Sequence, residues 1–402
     1  MRIKDDLDHL IEDYYKGKIN RRTFIGKAVA MGLTMASISA FLTACSSKPT
    51  PPAGQPDTGQ QAKGDPVDIT VGFFPSWVGG WSGVVVKNRE LWKKYLPAGS
   101  KVTWDVQVVG PPIVTNLMAN KSQIGYMGDM PALVATTKRD VADLRIVEVN
   151  LFSKGQICSI LVARSDAPDF NSPTEAVQWL DGKTIGVSGK GSCGDRFVTS
   201  LVQKTGIKAN IQHLDPTIIK TSLQSKKIDA AQAFQPHVAQ IAGQGIGKVV
   251  SMGSIWGAED ANFILMRYDF IQKHPAAAKG WIKADIEALK FVMENPYETV
   301  KMVGDELPGF STKDLWMAIY GRQSGNIGAI EENTTAQVVF DSNVMDFINR
   351  SFQFLKQAGA ITVDSPLPGA IYDQLANEAI KELGLTAPLG VIKGQPESDY
   401  KG

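Results

Sequence analysis

The chain has 402 residues, 43% of them hydrophobic and 21% charged, which is enough apolar material for two full cores and far more than a small stapled domain holds. Its formal charge is +1 and no basic run interrupts the body of the chain, so nucleic acid is excluded as the expected partner. The 4 histidines and 3 cysteines show no His-Glu-x-x-His or Cys-x-x-Cys spacing, so no metal site is expected.

The first residues read as an address. Asn20-Arg21-Arg22-Thr23-Phe24-Ile25-Gly26-Lys27 places paired arginines before an uncharged apolar run from Ala28 to Ala44, and the run ends in Leu42-Thr43-Ala44-Cys45. The arginine pair with its Thr and Phe resembles a twin-arginine export signal, and the last four residues resemble a lipobox. The run is shorter than the roughly 20 residues a spanning helix needs. Residues 1–44 are therefore expected to be removed, leaving Cys45 acylated and the protein anchored to the membrane by lipid. Residues 45–65, rich in Pro, Gly, Ser, Thr and Gln, form a flexible tether with a reach on the order of 25 Å. Cys158 and Cys193 remain; an exported protein permits their pairing, but their separation supplies no disulfide framework, and unpaired thiols are the expectation.

Val67 to Phe74 is strand-like by its β-branched and aromatic content. The loop Pro75-Ser76-Trp77-Val78-Gly79-Gly80-Trp81 follows it, at the end of a strand where open α/β sheets bind ligands, so Trp77 and Trp81 are read either as the apolar wall of a site or as a plug over the next helix. Val84 to Tyr95 is helical, Val102 to Val109 a strand, and Gly110-Pro111-Pro112 opens a helix to Asn120. Ile124 to Met127 is a strand that ends in Gly128; Asp129 stands at a helix N-cap position and Pro131 in the first turn. Such a turn offers unpaired N–H groups and the positive end of a dipole to a ligand. Alternation of strand and helix implies βαβ crossovers and a mostly parallel sheet.

Leu144 to Phe152 and Gln156 to Ala163 are further strand-like runs, and Ser172 with Glu175 caps a helix. Thr184 to Ser188 is a strand that delivers Gly189-Lys190-Gly191-Ser192-Cys193-Gly194-Asp195 to the head of the helix Arg196 to Thr205. Its glycines allow close approach of the backbone to a bound group, Ser192 adds a hydroxyl and Lys190 positive charge. The spacing is neither a P-loop nor a dinucleotide fingerprint, and no cofactor is expected. Gln235-Pro236-His237 again turns a strand into a helix, with the Gln235 amide a candidate for the cleft, and Ala261 to Met266 is an apolar strand. From Tyr268 the pattern is helical: Pro275 to Met293, Pro296 to Leu307, Thr312 to Gly321, Thr334 to Ala358 and Gly369 to Leu383.

Val109-Gly110-Pro111, Gly128-Asp129-Met130-Pro131-Ala132, Leu180-Asp181-Gly182-Lys183 with Gly189-Lys190-Gly191-Ser192, Lys227-Ile228-Asp229-Ala230, Gln235-Pro236, and Tyr268 through Pro275, in this order and spacing, resemble the extracytoplasmic solute-binding proteins of ABC importers for sulfonates, taurine, nitrate and thiamine precursors. The likeness runs from Val67 to Leu383. It implies an α/β, two-lobed periplasmic-binding-protein-like (type II) fold with a C-terminal helical buttress. The lobes are expected at 66–163 plus 260–390 and at 164–259, with crossings near Ala163 and Asn262 and a tail at 391–402. It further implies a ligand cleft lined by Pro75, Ser76, Trp77, Trp81, Gly110, Gly128, Asp129, Met130, Gly191, Ser192, Cys193, Gln235 and Asn262, and a monomer that hands a small ligand to an ABC importer permease. The chain departs from the sulfonate-type pattern at Cys193-Gly194-Asp195. If Asp129 and Asp195 point into the cleft they favour a ligand with an amino group, such as taurine; if they only cap helices, an anion binds the remaining N–H groups. Nitrate, a thiamine pyrimidine precursor or an aromatic acid are the alternative ligands. An enzyme related to pyrimidine synthases is the less favoured reading, because no activated nucleophile has a nameable partner.

Overall fold

The computed structural model describes residues 62–322, Ile327 and residues 332–402, with Thr23 and Lys27 before them. The expected export signal apart from Thr23 and Lys27, the expected lipidation site Cys45 and most of the tether fall outside the described residues.

The strand signals form two sheets. Strands β1 (Asp68–Phe73), β2 (Lys101–Val106), β3 (Ile124–Gly128) and β4 (Leu144–Ser153) begin the first; β5 (Ile160–Arg164), β6 (Thr184–Ser188), β7 (Asn210–Leu214), β8 (Ala230–Ala233) and β9 (Gly247–Met252) make the second. Then β10 (Asp260–Arg267), β11 (Glu332–Val338) and β12 (Gly390–Lys393) return to the first. The orders are β12-β11-β4-β10-β3-β1-β2 and β7-β6-β8-β5-β9. Each sheet with its helices is one lobe of a two-lobed α/β fold.

The sheets are mixed, not mostly parallel. β1 pairs parallel with β2 and β3, and β6 with β7 and β8, as βαβ units require. β10 pairs antiparallel with β3 and β4, and β5 antiparallel with β8 and β9. β5 and β10 are strands that arrive from the other lobe, so they enter their sheet from its opposite end; β11 also runs antiparallel, to β4 and β12. The two passages lie between Ser153 and Ile160 and between Met252 and Asp260. Ala163 therefore sits inside the second sheet and Asn262 inside the first, so the first crossing comes earlier in the chain than the sequence placed it.

Alternation along β5 shows how the second lobe is built. Leu161 and Ala163 join an apolar cluster with Ile185, Val187 and Phe197, whereas Ile160 and Val162 join one with Ile219, Leu223 and Ile228. Successive side chains thus serve opposite faces of the sheet. The C-terminal region differs from its helical reading. Thr334 to Ala358 divides into β11, which pairs with β4 and β12, and the helix Ser342–Gln357, so the expected tail begins as a strand.

Candidate ligand-binding cleft

A cleft of about 420 Å³ opens between the lobes. Trp77, Gly110, Gly128 and Asp129 line it from the first lobe, and Gly191, Ser192 and Cys193 from the second. The two turns singled out in the sequence therefore share one crevice. Phe74 and Phe234 extend the apolar wall.

Gly128 ends β3 where a Cβ would lie 3.3 Å from the Trp77 ring, so glycine lets the indole settle against the strand end. Trp77 also stacks on Phe74, with centroids 5.1 Å apart and planes at 11°. Trp81 goes elsewhere: it is buried in the first lobe and its Nε1 donates to the Pro75 carbonyl at 3.0 Å. The two tryptophans thus divide the roles of wall and plug.

Pro75, Ser76, Met130, Gln235 and Asn262, together with Trp81, sit behind the wall as its support. Ser76 Oγ donates to the Val108 carbonyl at 3.2 Å, and Gln235 Oε1 accepts from the Ala239 N–H at 3.1 Å. Asn262 Nδ2 donates to the Gly79 carbonyl and to Asn150 Oδ1. Met130 is fully buried. Each was expected on the cleft surface; each has its polar group or its bulk committed inside the protein instead.

The second turn is built by its own caps. Gly189 and Gly191 take φ of 73° and 74°, the left-handed region. Ser192 Oγ accepts from the Asp195 N–H at 3.2 Å, Asp195 Oδ2 accepts from the Gly191 N–H at 2.8 Å, and Asp195 Oδ1 meets His213 Nε2 at 2.7 Å. Among the described residues the N–H groups of Ser192 and Cys193 meet no acceptor, which leaves the positive end of the helix Cys193–Thr205 open. Lys190, on the same wall, has no acidic partner among the described residues.

Asp129 is also engaged. Its Oδ1 accepts from the Met130 N–H at 2.6 Å, and its Oδ2 lies 3.5 Å from the Ala261 N–H and 3.6 Å from Arg196 Nη2. Burial pushes the carboxyl up to about 6, against the pull of Arg196 and with a further push from Asp260. Arg196 comes from the second lobe; its guanidinium also donates to the Glu259 carbonyl and lies 4.9 Å from the Phe347 ring centroid. Sequence reasoning passed over Arg196, although it stands one helical turn beyond Ser192 and so on the same face as the cap.

Cys158 and Cys193 form a disulfide, with Cα atoms 6.2 Å apart, which corrects the expectation of free thiols. Cys158 lies in the passage from β4 to β5, beside the head of the helix that Cys193 begins. No spacing rule shows that proximity. His237 packs edge-on between Phe234 and Phe310, at 5.1 and 5.3 Å, and burial pushes its imidazolium down to about 4, so it is a neutral packing group.

Residues 62–303 match the NMT1-like family. A relative is the taurine-binding periplasmic protein of Escherichia coli (strain K12), 26% identical over 276 residues, covering 66% of this chain and 80% of that protein. The alkanesulfonate-binding protein SsuA from Xanthomonas axonopodis pv. citri, solved bound to MOPS, superposes with a TM-score of 0.60 at 15% identity, covering 77% of this chain and 99% of that one. The desulfurization enzyme DSZB shares the fold with a TM-score of 0.58 at 12% identity, covering 79% of this chain and 99% of that one.

Proposed function

The chain belongs to the NMT1-like family, and from that premise and the cleft we propose that it is the solute receptor of an ABC importer, capturing a small sulfonate-type organic anion between its lobes. One observation carries the reading: the open N–H groups of Ser192 and Cys193, with Lys190 beside them, share a cleft with the apolar wall of Phe74 and Trp77. That arrangement suits a charged head with a hydrocarbon tail. The names of the taurine- and alkanesulfonate-binding relatives support the same class.

Between a bare anion and a zwitterion, the carboxylates decide. Asp129 and Asp195 both hold protein donors, so neither is free for a ligand ammonium, and Asp215 Oδ2 is the lining carboxylate oxygen left for one. Lys190 and the open donors outnumber that single oxygen, so an alkanesulfonate is favoured over taurine. Closure of the lobes on it would be a hinge motion about the two passages, and the closed form would be what the permease reads. Receptor is favoured over enzyme because the cleft's cysteine is bridged and its histidine, His213, is held by Asp195.

Calorimetry of the mature chain against butanesulfonate, taurine, nitrate and an aromatic carboxylate tests the reading. Butanesulfonate is expected to bind more tightly than nitrate, which has no tail, and at least as tightly as taurine. Heat from none of the anions would end it. Export and lipidation at Cys45, and a monomeric receptor, belong to the same proposal; a Cys45→Ala chain that stays cell-associated at unchanged size would remove the anchor.

A further inference from the structure

We infer that the Cys158–Cys193 disulfide positions the ligand-binding turn, so that ligand affinity depends on the redox state of this bridge. The inference rests on the receptor reading above. Cys158 stands in the first passage between the lobes, and its backbone is gripped on both sides: Asp260 Oδ2 accepts from its N–H at 2.9 Å, and its carbonyl accepts from Gln232 Nε2 at 2.6 Å. Asp260 begins β10, the strand that ends the second passage. Cys193 is the first residue of its helix and lines the cleft. A continuous covalent and hydrogen-bonded chain thus runs from both passages to the donors that would meet the anion.

The turn itself has little else to hold it. A Cβ placed on Gly189 or Gly191 would meet nothing within 4 Å, so the turn faces open space on that side. Its internal ties are the Gly189 N–H to the Leu214 carbonyl at 3.1 Å and the Asp195 and Ser192 caps, all within the second lobe. Gln232, which joins Ser188 to the Cys158 carbonyl, and Arg196, which donates to the Glu259 carbonyl, also reach toward the hinge, but the bridge is the covalent tie and the one that ends on a donor residue of the turn itself. Without it the Ser192 and Cys193 donors must be reordered when a ligand arrives, and fixing even one residue's backbone costs on the order of tenfold in an equilibrium constant.

Reduction is chemically direct from the cleft side, because Cys158 is fully buried and Cys193 is not. A dithiol's thiolate attacks Cys193 Sγ; the S–S bond breaks, and its electron pair goes to Cys158 Sγ, which takes a proton. The dithiol's second sulfur then displaces Cys193, leaving a cyclic disulfide and two protein thiols. The helix N-terminus favours Cys193 as the leaving thiolate in this second step. A bound anion covers the sulfur that must be attacked.

The test uses the mature chain with butanesulfonate as probe. Affinity is measured by calorimetry on the oxidised protein, on protein reduced with dithiothreitol, and on a C158S/C193S variant, each checked for an intact fold by circular dichroism. The expected result is at least a tenfold weaker constant for the reduced chain and the variant, and no effect of dithiothreitol on the variant. By linkage, saturating butanesulfonate should lower the midpoint potential of the bridge by about 30 mV for each tenfold. Equal affinity in oxidised and reduced folded protein overturns the inference and leaves the receptor reading intact. A reduced chain that has lost its fold also overturns it, since the bridge is then merely structural. Absence of binding by the oxidised chain overturns both.

Discussion

Asp260→Ala should be among the most damaging single substitutions outside the apolar cores. The carboxylate is buried where the two inter-lobe passages meet; Oδ2 accepts from the Ile157 N–H at 3.1 Å, the Cys158 N–H at 2.9 Å and Ser153 Oγ at 3.3 Å, and Oδ1 from Ser159 Oγ at 2.6 Å. Alanine strands two buried main-chain donors that cannot turn away, whereas the serine hydroxyls can rotate to other acceptors. At about 1–3 kcal/mol for each stranded donor, the loss is about 2–6 kcal/mol, a large part of a typical domain's stability. Asn keeps one oxygen for these donors and should cost roughly half as much. Urea denaturation followed by tryptophan fluorescence measures both. A loss below about 1 kcal/mol for the alanine variant would show that the passages hold themselves without this carboxylate, and the account of the hinge would fail.

Gly194→Ala drives a Cβ into the buried Gln232 amide, which is fixed by Ser188 and the Cys158 carbonyl; a stability loss of about 1–3 kcal/mol is expected in thermal denaturation, and a neutral result would mean that Gln232 can move. Lys190→Ala should weaken binding of a sulfonate by roughly tenfold, the worth of one charge-assisted hydrogen bond, with the difference shrinking at high salt; a salt-independent loss would point to packing instead. Asp129 gives a pH signature: its carboxyl rises from 3.8 to about 6 on folding, so its contribution to stability is full below pH 4 and is lost as pH rises through 6. Against an Asp129→Asn chain, which does not titrate, the native protein should lose about 2–3 kcal/mol between pH 4 and pH 7, and urea midpoints that keep a constant gap across that range would contradict the burial argument.

The legible parts of this chain were the ones decided locally. Gly128 with Asp129, and Gly189 through Ser192, announce turns at helix heads and both turns reach the cleft, but the N-cap of the first helix is Gly128 with no side-chain cap, and Asp129, expected there, is instead its first helical residue. The helical reading of Thr334 to Ala358 takes in Thr334 and Thr335, although both are β-branched and Asp341, which accepts from the Val344 N–H at 2.9 Å, marks the true helix start. There a local signal existed and was outweighed by the length of the apolar pattern behind it. Arg196 with Asp129, Cys158 with Cys193, and Asp260 with its donors are of another kind. Each joins segments brought near only by the passages between lobes, and no periodicity or spacing encodes such a meeting.

The same distinction explains how a cleft with three aspartates at its edge can suit an anion. Asp129, Asp195 and Asp215 each stand at or near a helix N-terminus, and each gives an oxygen to a main-chain N–H: Met130 at 2.6 Å, Gly191 at 2.8 Å and Thr217 at 2.9 Å. Arg196 and His213 sit against the remaining oxygens of Asp129 and Asp195. Negative charge is thus offset locally by helix dipoles, and at Asp129 by Arg196, before any ligand arrives, which weakens the field that reaches the cleft. What remains on the second-lobe wall is Lys190, the donors of Ser192 and Cys193, and Asp215 Oδ2, which has no partner among the described residues. Preference for an anion then resides largely in main-chain atoms, so no side-chain substitution at the turn except Lys190 should change the sign of charge the cleft accepts, only the strength with which it is held.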